Sequence, residues 1–153
     1  MRYATAVTAV DAAPEMLAFA AEHLGKDTRA RFVQADVFDW RPEAFFDVVF
    51  FGFLLSHVPE ERFGTFWSLV ANSLAPGGRV MFVDDGYREP HELVFGEESA
   101  VIERRLNDGN AYRIVKVPLR PASLEARLRR MGWDISVRAT SGPFLWGAGT
   151  RLY

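Results

Sequence analysis

Three apolar, β-rich runs of this chain each close on an acid: Val7-Thr8-Ala9-Val10 on Asp11, Arg31-Phe32-Val33-Gln34 on Ala35-Asp36, and residues 79–83 on Asp84-Asp85. Helical patterns lie between them. A strand–helix–strand repeat buries its strands only when they run parallel, because each crossover helix carries the chain back to the same end of the sheet. The repeat therefore predicts an α/β chain whose sheet is mostly parallel, with right-handed crossovers.

The individual elements follow from local chemistry. Pro14 is placed for a helix first turn and Glu15 lies near the positive end of the helix dipole. Met16, Leu17, Ala20 and Leu24 recur at helical spacing, and Gly25 stops the helix. Residues 46–51 contain four apolar residues in succession, Val48-Val49-Phe50-Phe51, which predicts a strand buried on both faces. Pro59-Glu60-Glu61 opens a further helix with Phe63, Phe66, Trp67, Val70 and Leu74 on one side, and Ala75-Pro76-Gly77-Gly78 ends it. Beyond residue 100 the pattern changes. Residues 101–106 and 112–117 flank Asn107-Asp108-Gly109-Asn110, whose Asp-Gly dipeptide marks a β-hairpin. Residues 121–131 read as an amphipathic helix through Leu124 and Leu128, ending at Gly132. Residues 133–137 and 144–152 read as two closing strands. No internal repeat, low-complexity tract or linker interrupts the 153 residues, so a single domain is expected.

Composition removes several function classes. The chain has no cysteine, which excludes disulfides, thiolate metal sites and a cysteine nucleophile. Its three histidines, His23, His57 and His91, are spaced too widely to suggest a metal site. A net charge of −2 provides no broad footprint for nucleic acid or an anionic membrane. Arg127, Arg129 and Arg130 are interspersed with other residues and read as a solvated helix face. The aromatics Phe63, Phe66, Trp67 and Trp133 read as core. No apolar run approaches membrane length and no signal-peptide pattern opens the chain, so a cytoplasmic protein is expected.

A carboxylate at the end of a strand can accept hydrogen bonds from two vicinal ribose hydroxyls, which is a possible role for Asp11. A helix-start acid without a ligand explains the same residue. Three further pieces narrow the choice: Asp36-Val37 after the next strand, Phe51-Gly52-Phe53-Leu54-Leu55-Ser56-His57-Val58-Pro59 after the central one, and Leu74-Ala75-Pro76-Gly77-Gly78-Arg79-Val80 before the next. As a set they resemble the class I S-adenosylmethionine-dependent methyltransferases, in particular the small bacterial methyltransferase-domain family, over residues 7–151. The resemblance implies a Rossmann-like fold with an antiparallel last strand and an inserted hairpin near residues 101–117. It implies S-adenosylmethionine as cofactor, with Asp11 as the ribose acid and Ala12 and Met16 beside the adenosine. Asp36 and Val37 match the adenine edge, Phe51 the strand end near the methionine part, and Phe53 the approach to the methyl group.

His57 carries two readings. Imidazole exchanges a proton readily near neutral pH and suits a base on a substrate hydroxyl; in the family this stretch mainly shapes the pocket and starts a helix. Asp85 is a candidate substrate contact at the carboxyl edge of the sheet, where ligands bind in α/β folds. Tyr87, Arg113 and Lys116 are candidates for a lid over the acceptor, the alternative being an exposed hairpin and loop. The acceptor is expected to be a small molecule whose identity the sequence does not encode.

What the resemblance lacks is the strand and glycine-rich turn expected about 20 residues before the ribose acid. Only six residues precede Val7, and Arg2-Tyr3-Ala4 reads as the end of a helix. The expectation is an N-terminally truncated domain without its first, central strand. Such a domain would be impaired or inactive, and self-association through the incomplete sheet is expected. Two other classes stay open. One is a fragment of an NAD-dependent oxidoreductase, which shares the ribose acid but not the Pro-Gly-Gly turn or the closing strands with Gly147 and Gly149. The other is a non-catalytic Rossmann-like module.

Overall fold

The computed structural model describes residues 3–25 and 29–152, which fall into two compact units, Met1–Pro42 and Glu43–Tyr153. In the first, strand β1 (Val7–Asp11) leads into helix α1 (Pro14–Leu24) and returns as strand β2 (Ala30–Gln34). The strands pair in parallel from Val7 opposite Ala30 to Asp11 opposite Gln34. Pro14 begins α1, Glu15 sits in its first turn, and His23 in its last. Gly25 ends the helix at φ 58°, a left-handed conformation that glycine adopts without a Cβ clash. Leu17, Ala20 and Leu24 are half-buried, whereas Met16, expected on the same stripe, is exposed, and no α1 side chain is fully buried. Tyr3 and Ala4, expected at a helix end, are not helical; Arg2 lies outside the described residues.

The second unit is built on strands β3 (Phe46–Gly52), β4 (Leu74–Asp85), β7 (Trp133–Ala139) and β8 (Phe144–Arg151), in the order β3-β4-β8-β7. β3 and β4 are parallel; β8 runs antiparallel to both β4 and β7. Helices α2 (Phe63–Ser73) and α3 (Pro121–Arg130) complete the main elements, and β5 (Val101–Arg105) pairs with β6 (Ala111–Val115) as the expected antiparallel hairpin. Helix α2 starts later than the Pro59 signal implies, because Glu60–Arg62 forms a separate 3-10 turn. β4 starts earlier: Leu74 pairs with Phe46 before a register shift over the Pro-Gly-Gly turn. Gly77 takes φ 77°, and a Cβ on Gly78 would lie 2.9 Å from the Ala75 carbonyl oxygen. The turn thus needs its glycines to crowd the backbone between helix and strand.

One face of this sheet is packed with aromatics. Phe51 stacks on Phe82 with ring centres 5.4 Å apart, and Trp67 meets Phe51, Phe82 and Trp133 edge-on. Aromatic pairs of this kind contribute about 0.5–1.5 kcal/mol each beyond the area they bury. Gly147 makes room for them: a Cβ there would stand 2.3 Å from the Phe82 ring. Gly149 is equally constrained, since its Cβ would fall 1.9 Å from the Asp134 carbonyl oxygen.

The opposite face corrects the sequence reading of β3. Its apolar run was expected to be buried on both sides, yet Val48 is 58% and Phe50 62% exposed, while Phe51 is 8% exposed. Met81, beside Phe50 on β4, is exposed as well. Continuous hydrophobicity reports that both faces avoid water; here the second face has no covering element within its own unit.

Candidate functional site

The acids that end the strands occupy two settings, one in each unit. In the first unit Asp11 terminates β1 opposite the end of β2, and both strands run the same way, so their carboxyl ends share an edge. Asp11 Oδ1 accepts the Ala13 amide at 2.8 Å, which turns the chain into α1. The carboxylate is exposed, and its second oxygen accepts nothing among the described residues. Asp36 repeats the device: Oδ1 accepts the Phe38 amide at 2.8 Å, while its carbonyl accepts the Asp39 and Trp40 amides at 3.0 and 2.9 Å. Among the described residues each carboxylate is oriented by one local bond and has its second oxygen unengaged. That acceptor set fits a nucleoside, whose ribose hydroxyls and exocyclic amine both donate. Ala12 and Met16 are exposed beside Asp11, and Val37, next to Asp36, is half-buried.

In the second unit the carboxyl ends of β3 and β4 carry a denser arrangement. Phe51 is committed to the core through its ring, so only its backbone faces the strand end. Phe53 follows at φ 54°, a region that costs a non-glycine residue free energy and is held by its amide donating to the Val83 carbonyl at 2.8 Å. Its exposed ring meets Phe144 edge-on, and the two border an open, almost wholly apolar depression of about 510 Å³ with Met81, Val83 and Trp146.

Behind this strand end lies a buried charge cluster. Alternation along β4 turns Asp84 to the core face and Asp85 to the other. Asp84 is 0% exposed and its carboxylate accepts the Ser56 amide at 3.0 Å and the Asp85 amide at 2.8 Å. Lys116, just beyond β6, is 3% exposed; its Nζ lies 2.6 Å from Asp85 Oδ1, 3.9 Å from Asp84 Oδ1 and 3.0 Å from Ser56 Oγ. This corrects the alternative that places Lys116 on an exposed hairpin. A lysine surrounded by two carboxylates and a hydroxyl is bound to the scaffold.

The other candidates divide. The Tyr87 amide donates to Asp85 Oδ1 at 3.2 Å and its exposed side chain hydrogen-bonds Glu89. Arg88 ties the same segment down through the Glu97 and Ser99 carbonyls at 2.7 and 2.6 Å. Arg113, also exposed, lies over the Phe95 ring at 5.0 Å and joins neither Asp85 nor Lys116. His57 is half-buried in a 3-10 turn (Leu55–His57), with Nδ1 2.7 Å from the Val115 carbonyl. A carbonyl only accepts, so Nδ1 carries a proton, and the neutral ring in this geometry has its lone pair on Nε2.

Sequence reasoning singled out Asp85 but not Asp84 or Ser56. The acid doublet was a signal for Asp84, since adjacent strand residues point to opposite faces and one of two acids must turn inward. Ser56 has no signal in the sequence, because its contacts come from residues 28 and 60 positions away.

The sequence model of a methyltransferase-domain family matches residues 1–78, half of the chain. The chain belongs to that family. Solved structures agree. The DhpI complex with SAH is 40% identical, superposes with a TM-score of 0.78, and is matched over 96% of this chain and 66% of that one. A DhpI–SAM–HEP complex is likewise 40% identical, with a TM-score of 0.79, over 94% of this chain and 67% of that one. The chain thus spans about two thirds of the DhpI structures' length. The S-adenosylmethionine-dependent methyltransferase from Mesorhizobium loti shares the fold at 19% identity and a TM-score of 0.67, covering 97% of this chain and 81% of that one. No curated protein sequence matches the chain significantly.

Proposed function

We propose that this chain serves S-adenosylmethionine-dependent methyl transfer to a small-molecule acceptor. The observation that carries the reading is 40% identity, across nearly the whole of this chain, to DhpI structures solved with SAM and with SAH. The residues of the first unit support it: Asp11 offers a free carboxylate oxygen for ribose hydroxyls, Asp36 one for the adenine amine, and Ala12, Met16 and Val37 apolar surface. When bound, the cofactor supplies a methyl group on a positively charged sulfur, which leaves readily once a nucleophile is held in line. The chain's own part is then positioning and proton removal.

In the second unit His57 has the geometry of a proton acceptor when neutral, since Nδ1 is engaged and Nε2 has no partner among the described residues. In that role His57 Nε2 would take the proton that the acceptor loses on methylation, while the cofactor, held by the first unit's Asp11 and Asp36, would supply the methyl group and retain the bonding pair on its sulfur. Phe51, Phe53 and the depression beside Phe53 contribute apolar surface, while Asp85 and Tyr87 contribute polar groups at the same sheet edge. Arg113 and Lys116 stand further from this role: one lies over Phe95, the other is held within the charge cluster.

The nicotinamide alternative calls for a parallel last strand, and β8 is antiparallel to β4. Calorimetric titration with S-adenosylhomocysteine and with NAD tests the choice. Saturable binding of the first and none of the second is expected; NAD binding alone overturns the reading, and binding of neither favours a non-catalytic module.

A further inference from the structure

We propose that Lys116 is a positioning residue for His57, fixing which imidazole nitrogen carries the proton. The role rests on the reading of His57 as proton acceptor, but the structural device stands on its own contacts. Three consecutive residues, the last of β6 and the two beyond it, meet two consecutive residues after β3. The Val115 carbonyl accepts from His57 Nδ1 at 2.7 Å, Lys116 Nζ reaches Ser56 Oγ at 3.0 Å, and the Val117 amide donates to the Ser56 carbonyl at 2.7 Å. Of these, the lysine contact alone continues into β4, through Asp85 at 2.6 Å and Asp84 at 3.9 Å. Asp84 in turn holds the Ser56 amide, closing a ring from β4 through the 3-10 turn to β6 and back.

The ring explains an otherwise costly feature. A charged lysine and a wholly buried aspartate lose much of their hydration, and a compensating pair seldom stabilises more than an apolar replacement does. In some proteins such a pair supplies a fixed register instead. Here the register in question is that of the Val115 carbonyl, one residue from the lysine. Holding that acceptor against Nδ1 keeps Nε2 unprotonated, the tautomer able to take a proton.

Nitrogen-15 NMR of the histidine-labelled full chain tests this without any methyl acceptor, with His57→Gln used to assign the signal. The wild-type His57 should show the Nδ1-protonated tautomer. Lys116→Met should shift the tautomer ratio toward Nε2-protonated by about tenfold, the equivalent of one net hydrogen bond. The Asp85→Asn/Lys116→Met pair, which avoids stranding the nearer carboxylate, should show the same shift should the single variant fail to fold. An Nε2-protonated wild type, or a folded variant with an unchanged ratio, overturns the proposal. Methyl-transfer rates of His57→Gln report separately on the catalytic reading: an unchanged rate removes the base while leaving the tautomer result intact.

Discussion

Asp11 and Gly149 show how differently single residues act in this chain. Among the described residues Asp11 makes one local bond, to the Ala13 amide, and its second oxygen is the one proposed to meet ribose. Replacing it with alanine should weaken S-adenosylhomocysteine binding about ten- to a hundredfold in calorimetry, as expected for losing a hydrogen bond to a charged group. Binding of equal strength in wild type and variant would remove Asp11 from the site. Gly149 is constrained by space, since any Cβ would penetrate the Asp134 carbonyl of the neighbouring strand. Gly149→Ala should therefore cost about 1–3 kcal/mol or more in denaturant unfolding, the range of overpacked positions. Both residues are visible in the sequence, but only Asp11 is assigned a role there, through the family resemblance. A glycine in a strand signals close approach without saying to what.

The hairpin and the segment before it illustrate the element scale. The Asp-Gly turn fixed the hairpin locally, and β5 and β6 pair through five cross-strand positions from Val101–Val115 to Arg105–Ala111. Its anchoring is tertiary. Arg104 Nε donates to the buried Glu92 at 2.6 Å, and Glu92 also accepts the Glu89 amide at 3.0 Å, capping the short 3-10 turn Pro90–Glu92. The Arg104 hydrogen bond, reinforced by the Glu89 amide, holds the Glu92 carboxyl below its ordinary value of 4.5 despite burial. A depressed carboxylate stabilises the fold above its unfolded value and loses that contribution as pH falls through the folded one. Wild type should accordingly exceed Glu92→Gln in stability above pH 4.5, with the gap narrowing below it. A gap that stays constant through acid unfolding curves would show that the ion pair does not carry the difference.

At the scale of the whole molecule the uncovered face of β3 and β4 dominates. Val48, Phe50 and Met81 form an exposed apolar strip on the open face, and β3 is an edge strand of its sheet. Edges and faces of this kind promote association between chains. The polypeptide should elute above its monomer mass of 17.3 kDa, with the shift growing with concentration in light scattering. Phe50→Lys combined with Val48→Thr should reduce it; association unaffected by the pair would place the contact elsewhere. No helix among the described residues is long and apolar enough to cross a membrane.

Periodicity and turn glycines determined the order of elements, the hairpin and the aromatic core, because each of these is written in residues near one another in the chain; the family came from the resemblance of its motifs as a set. They also named Asp11, Asp36 and His57. Which face of β3 stays open, which acid of the Asp84–Asp85 doublet is buried, and where Lys116 points were decided only in three dimensions. Those outcomes depend on partners tens of residues away, and the chain's local chemistry is the same for either answer. Lys116 is the clearest case: its sequence neighbours describe an ordinary exposed hairpin exit, and only the carboxyl end of β4 makes it a buried partner of Asp84, Asp85 and Ser56.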